Sequence, residues 1–107
     1  MGRLLCISYK GNSLGYCGIF GSVQEILDDP GIPISKESRR YMKTSTFSRL
    51  LFGKKFARIR DMQSKDNGVY IADLEADPER FDTLHAAHAT PLLRQGLREL
   101  KLRKIGI

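Results

Sequence analysis

The residues best suited to chemistry in this chain are cations packed into its centre. Between residues 35 and 60 stand Lys36, Arg39, Arg40, Lys43, Arg49, Lys54, Lys55, Arg58 and Arg60, with Glu37 as the lone acid. Ammonium and guanidinium groups at this density suit phosphate oxygens, and arginine also pairs in a fork with a guanine edge. Thr44, Ser45 and Ser48 fall at or near a helix N-terminus, where hydroxyls and unpaired backbone N–H groups suit phosphate as well. Arg49 extends from the first turns of that helix toward a base edge, and Lys54, Lys55, Arg58 and Arg60 flank it as phosphate contacts. The segment that follows, 61–91, reverses the sign, with seven acids against Lys65 and Arg80, while the whole chain carries +6. Uniform solubilising charge would not be sorted in this way. The sorting points to a face that meets a polyanion, DNA before RNA.

Other groupings are weaker. His85 and His88 stand three apart, near enough on one helix to share a metal with Asp82. The metalloprotease pattern, however, needs a spacing of four with a glutamate between. Two histidines on a half-exposed helix explain them better, and no metal is expected. Asp73, Glu75, Asp77, Glu79 and Asp82 read as helix caps and dipole partners rather than as an acid–base pair. Gly11, Gly15, Gly18 and Gly21 match no phosphate-cradling loop. With no nucleophile context around any serine, the chain reads as a non-enzyme without a cofactor. Tyr41, set among Arg39, Arg40 and Lys43, is the aromatic placed to stack on unpaired bases; most of the others sit on expected core faces.

The positioning elements follow from local signals. The 107 residues, 41% hydrophobic and 28% charged, fit a single α+β domain. Leu4–Tyr9 and Leu14–Phe20 read as a hairpin about a Gly11-Asn12 loop. That register sets Tyr9 opposite Leu14, Ile7 opposite Tyr16, and Cys6 opposite Cys17. A cross-strand disulfide is geometrically open there, but two buried free thiols are the expectation. Ser22-Val23-Gln24-Glu25 is a capping box, and Asp29-Pro30-Gly31 stops the helix it opens. Ser35 caps a helix through Met42, and Thr44 or Ser45 caps another that buries Phe47, Leu50 and Leu51 and ends at Gly53. Phe56–Met62 and Val69–Leu74 form a second hairpin about a Lys65–Gly68 turn. Asp77-Pro78 starts a C-terminal helix that breaks and restarts at Thr90-Pro91, with a stripe of Leu92, Leu93, Leu97, Leu100 and Leu102.

The hairpin followed by Ser-Val-Gln-Glu-Ile-Leu (22–27) and later Ser-Arg-Leu-Leu-Phe-Gly-Lys-Lys (48–55) resembles the modular helix-turn-helix DNA-binding repeats associated with intron-encoded homing endonucleases. The resemblance spans residues 4–59. It implies a DNA-binding segment at 22–55, and no nuclease domain accompanies it. The chain departs from the pattern by inserting Arg39-Arg40-Tyr41-Met42-Lys43 where the family has a tight turn. The expected function is that of a small duplex-DNA-binding regulator of phage or mobile-element type.

A reading of a different class makes the chain a phage-type inhibitor or adaptor, such as an anti-defence (anti-CRISPR-like) protein. It would seat its charged face on a larger nucleoprotein or enzyme. A third makes it an RNA-held subunit, with Arg94, Arg98, Lys101, Arg103 and Lys104 as a second contact. The leucine stripe would serve a homodimer as well as the monomer core. No apolar run approaches the roughly 20 residues of a bilayer helix and no secretory signal opens the chain, so a cytoplasmic protein is expected.

Overall fold

The computed structural model describes residues 3–60, 66–74 and 83–104, with backbone alone at Lys54, 83–86 and 102–104. The fold is α+β. Strands β1 (Leu4–Lys10), β2 (Ser13–Phe20), β3 (Phe56–Arg60) and β4 (Asn67–Asp73) form one antiparallel sheet in the order β2-β1-β4-β3. Helices α1 (Val23–Asp28), α2 (Lys36–Met42) and α3 (Ser45–Lys54) come between the hairpins, and α4 (Thr83–Lys104) closes the chain. Among the described residues no helix is long and apolar enough to cross a membrane.

Two apolar layers sandwich the sheet. Leu4, Cys6, Ala57, Ile59, Val69 and Ile71 face one way and pack with Ile26, Ile32, Met42, Phe47 and Leu51 from the α1–α3 region. Leu5, Ile7, Tyr9, Cys17, Phe56, Tyr70 and Ala72 face the other way, onto Ala89, Leu92 and Leu93 of α4. Strand β1 is therefore buried on both faces from Leu4 to Tyr9, as a central strand covered by helices on each side must be. Leu92 and Leu93 of the leucine stripe of α4 meet the sheet of their own chain, with Leu97 and Leu100 packed at its margin; the side chain of Leu102 lies outside the described residues.

The hairpin register differs from the expected one in the middle. Tyr9 does pair with Leu14, but Ile7 pairs with Cys17 and Cys6 with Gly18. Ser8 thus stands opposite two residues, Gly15 and Tyr16, and the backbone N–H of Tyr16 donates to Ser8 Oγ at 2.6 Å instead of to a ladder carbonyl. One extra residue exchanges the faces of everything beyond it. Tyr16 joins the α1–α3 side, where its hydroxyl donates to Asp29 at 2.6 Å. Cys17 joins the α4 side, so Cys6 and Cys17 lie on opposite faces, both buried as free thiols.

The second hairpin forms, but β4 begins earlier than expected. Asn67 and Gly68 are ladder residues opposite Lys10 and Tyr9, not turn residues. The three helix caps match expectation. Ser22, Ser35 and Thr44 accept from the backbone N–H of Glu25, Ser38 and Phe47, respectively. The Glu25 carboxylate returns its bond to the N–H of Gly21 at 2.6 Å. Helix α3 does not stop at Gly53. It continues to Lys54 and ends on Lys55 in the left-handed conformation, φ 56°, a position where a side chain costs about 1 kcal/mol relative to glycine. Helix α4 runs unbroken through Pro91, so no restart occurs at Thr90-Pro91. The proline removes one N–H from the ladder, and the chain keeps its helical course because Leu92 and Leu93 hold the next turn to the sheet. The expected start at Asp77-Pro78 lies outside the described residues.

Burial also shows in protonation. It pushes the Cys6 thiol up from 9.0 to about 12 and the Tyr70 hydroxyl from 10.0 to about 12. Tyr16 likewise rises from 10.0 to about 12, chiefly through burial and then through the bond it donates to Asp29. The same bond, with the Gly31 N–H, holds the Asp29 carboxyl below its ordinary value. In the unfolded chain these thiol and hydroxyl groups lose their protons first, so above pH 9 the fold retains protons that the unfolded chain releases. Stability should be level up to about pH 9 and fall steadily toward pH 12. Urea midpoints across that range check this, and a midpoint unchanged at pH 12 would contradict it.

Candidate nucleic-acid interface

Helix α2 divides its residues among four directions, as a period of 3.6 requires. Ser38 and Met42 are buried toward the sheet. Arg39 turns to the α1 side. Its Nη1 donates to Leu27 O at 2.6 Å, its Nη2 to Asp29 O and Ile32 O at 3.1 Å each, and its Nε to Ile34 O at 3.3 Å. Lys36, Arg40 and Lys43, at i, i+4 and i+7, are all exposed on the side away from the buried pair. Glu37 and Tyr41 take the remaining flank, where they line a cavity with Arg58, Ile59 and Arg60.

Helix α3 repeats the plan. Phe47 and Leu51 are buried, and Ser45, Ser48, Arg49 and Phe52 are exposed. Ser45, Arg49 and Phe52 share the i, i+4, i+7 stripe opposite the buried face. Phe52 is 77% exposed. Thr44 is exposed, but its hydroxyl is occupied at both ends: it donates to Tyr41 O at 2.6 Å and accepts from Phe47 N at 3.3 Å. It serves as cap and hinge pin between α2 and α3. Lys55, at the end of α3, is exposed.

The cations of β3 belong elsewhere. Arg58 projects to the α4 side of the sheet, with its guanidinium 5.4 Å from the Tyr9 ring centre and 5.6 Å from that of Tyr70. Its Nε donates to Tyr9 Oη at 2.7 Å. Arg60, two residues on, is exposed at the end of β3. Of the expected site residues, Lys36, Arg40 and Lys43 are exposed opposite the buried residues of α2, and Ser45 and Arg49 opposite those of α3, with Ser48 exposed beside them. Lys55 is exposed at the end of α3 and Arg60 at the end of β3, on the same face of that strand as Arg58, while Arg39 and Arg58 are engaged within the fold. The side chain of Lys54 lies outside the described residues.

His88 has a structural place. Tyr70 Oη donates to its Nδ1 at 2.6 Å, and its Nε2–H donates to the Gly11 carbonyl at 2.7 Å. It ties α4 to β4 and to the first hairpin loop. His85, Asp82 and most of the acids between 61 and 82 fall outside the description, and among the described residues no three metal-ligating side chains gather. Two residues of the outer region were not among the expected contacts. Phe52 is seven residues beyond Ser45, a spacing that marks the outer stripe once α3 is fixed. Glu37 is one turn before Tyr41, on the cavity flank. A scan of protein-family models, a search of curated proteins and a search of solved structures each found no match to this chain.

Proposed function

We propose that this protein binds nucleic acid through the outer face of α2 and α3, with duplex DNA as the favoured form. One observation carries the reading: the Lys36–Arg40–Lys43 stripe of α2 leads directly into the Ser45–Ser48–Arg49 surface of α3, all exposed, with Glu37 as the sole acid on either helix. Lysine and arginine on α2 would hold phosphates and fix the approach. Arg49 would reach a base edge from α3. A B-form major groove admits a helix, whereas the deep, narrow major groove of A-form RNA does not, which favours DNA. On this reading the chain is a binding protein of the regulator kind, not an enzyme.

Among the described residues, Lys36, Arg40, Lys43, Arg49, Lys55 and Arg60 are the exposed cations of this region. If they meet phosphates, log affinity should fall against log salt with a slope of about −5, or roughly a thousandfold between about 50 and 200 mM salt. Fluorescence anisotropy with a labelled duplex measures it. Lys43→Ala should reduce the slope by about 0.9 and weaken all sequences alike, whereas Arg49→Ala should flatten the preference among sequences. Absence of duplex binding even at low salt would dismiss this reading and favour the protein-directed inhibitor.

A further inference from the structure

Helix α4 carries a second cationic crest. Its buried residues Ala89, Leu92, Leu93 and Gly96 set the face that meets the sheet, and Arg94, Arg98 and Lys101, at i, i+4 and i+7, are exposed directly opposite. Glu99 is the single acid of the helix and stands to one side of that row. A cation in the last turn serves the helix dipole. Arg94 and Arg98 lie more than a turn before the end at Lys104, beyond the reach of that effect. The sheet separates this crest from the cations of α2, since α4 packs on one face and the α1–α3 region on the other. The two rows therefore point in opposite directions, and one straight duplex touching either leaves the other on the far side of the protein. The α4 crest is also bare of anchors. Among the described residues the exposed large hydrophobics are Tyr41 and Phe52, in α2 and α3. A protein partner is held by apolar or aromatic anchors at the centre of its interface, and the crest offers none. A membrane takes up the apolar face of a helix, and that of α4 is occupied by the sheet. A row of cations without anchors suits a phosphate backbone, which is met by charge alone.

We propose that the crest of α4 binds the backbone of a second duplex, so that the protein bridges two DNA segments with its sheet between them. The proposal rests on the nucleic-acid reading above and extends it from one contact to two. Repulsion between the segments does not forbid the arrangement. The molecule measures 27 Å in its shortest direction and the Debye length is about 10 Å at 0.1 M salt, so duplexes on opposite sides are screened from one another. The two contacts differ in kind. Helix α3 presents Arg49 for a base edge, whereas the α4 crest presents charge only, so the second contact is indifferent to sequence. With Arg98 and Lys101 as its contacts, the second step should follow salt with a slope of about −2 and weaken about tenfold between about 50 and 200 mM. Held by fewer cations, the second duplex is the more weakly bound.

The test mixes two portions of one duplex, one carrying a donor dye and the other an acceptor, with the full-length protein at about 50 mM salt. Energy transfer should appear near a ratio of about one protein to two duplexes. It should vanish in protein excess, when every duplex carries its own copy. Arg98→Glu combined with Lys101→Glu should weaken the second step by about tenfold or more. The same variant should leave the anisotropy and salt slope of a single dilute duplex as in the parent. Both side chains are exposed, and Arg98→Gln with Lys101→Gln should give an intermediate loss, a gradation that misfolding would not produce. Duplex binding without transfer at any ratio would overturn the second contact and leave the outer-face reading intact. Transfer that survives the double charge reversal would overturn it as well, placing the bridge in a pairing of two copies. Polyglutamate bound more tightly than the second duplex, and lost in the double variant, would reassign the crest to an acidic protein. Absence of any duplex binding would remove both readings.

Discussion

Arg39→Ala should lower the stability of the fold by about 3 kcal/mol while its neighbour Arg40→Ala should change it by less than about 0.5 kcal/mol. The difference comes from where two adjacent guanidinium groups point. Arg39 reaches the carbonyls of Leu27, Asp29, Ile32 and Ile34. Those groups close α1 and shape the proline-broken link to α2, and no helical N–H remains to serve them. Its removal takes away charge-assisted bonds worth about 1.5–3 kcal/mol each at full burial, an amount reduced here because the side chain is half-buried and water can reach some of the acceptors. Arg39→Lys should recover less than half of the loss, since a single ammonium cannot span acceptors placed around a planar fork. Urea midpoints measure the loss, and a melting temperature lower by about 15 °C should accompany it in a domain of this size. Arg40→Ala should instead weaken nucleic-acid binding. An Arg39→Ala protein as stable as the parent would show that solvent already satisfies those carbonyls.

Gly68→Ala should be at least as damaging. A methyl group there would stand 2.5 Å from Tyr9 Oη, 2.8 Å from Tyr9 Cζ and 2.6 Å from the backbone oxygen of Ile59. The tyrosine could swing away, but the oxygen belongs to the neighbouring strand and cannot. Displacing Tyr9 would also undo its stack on Tyr70 at 4.8 Å, its edge contact with His88 and the bond from Arg58. Overpacking of this kind costs about 3 kcal/mol, and the lost ring contacts raise it. Gly53→Ala is the internal control. Nothing lies within 4 Å of its added carbon, and a helical alanine should stabilise by about 0.5–1 kcal/mol. Thermal melts of the two variants should therefore move in opposite directions. A Gly68→Ala protein with parental stability would mean that β3 can shift away from β4 freely.

What the sequence made legible was local. Ser22, Ser35 and Thr44 each sit one residue before a helix whose first turn they cap, and a cap is decided within four residues. The density of cations between residues 35 and 60 was legible too, but nothing local separated the exposed Lys36, Arg40 and Lys43 from the engaged Arg39 and Arg58. The rest depended on partners far along the chain. Arg39 resembles its neighbours until the carbonyls of the preceding link are in place. Arg58 resembles a surface cation until β1 brings Tyr9 beside it. Pro91 reads as a breaker, yet packing of the following leucines on the sheet overrides it. The Lys65–Gly68 stretch carries turn chemistry, but pairing with β1 draws Asn67 and Gly68 into the ladder.

The additional residue in β2 opposite Ser8 has a chemical consequence beyond geometry. It leaves a layer of backbone between the two sulfur atoms, so oxidants cannot join them without first dismantling the sheet. Each thiol is also buried, and that of Cys6 is held in its unreactive protonated form far above neutral pH. The folded chain can therefore pass between reducing and oxidising surroundings without an internal crosslink altering its shape.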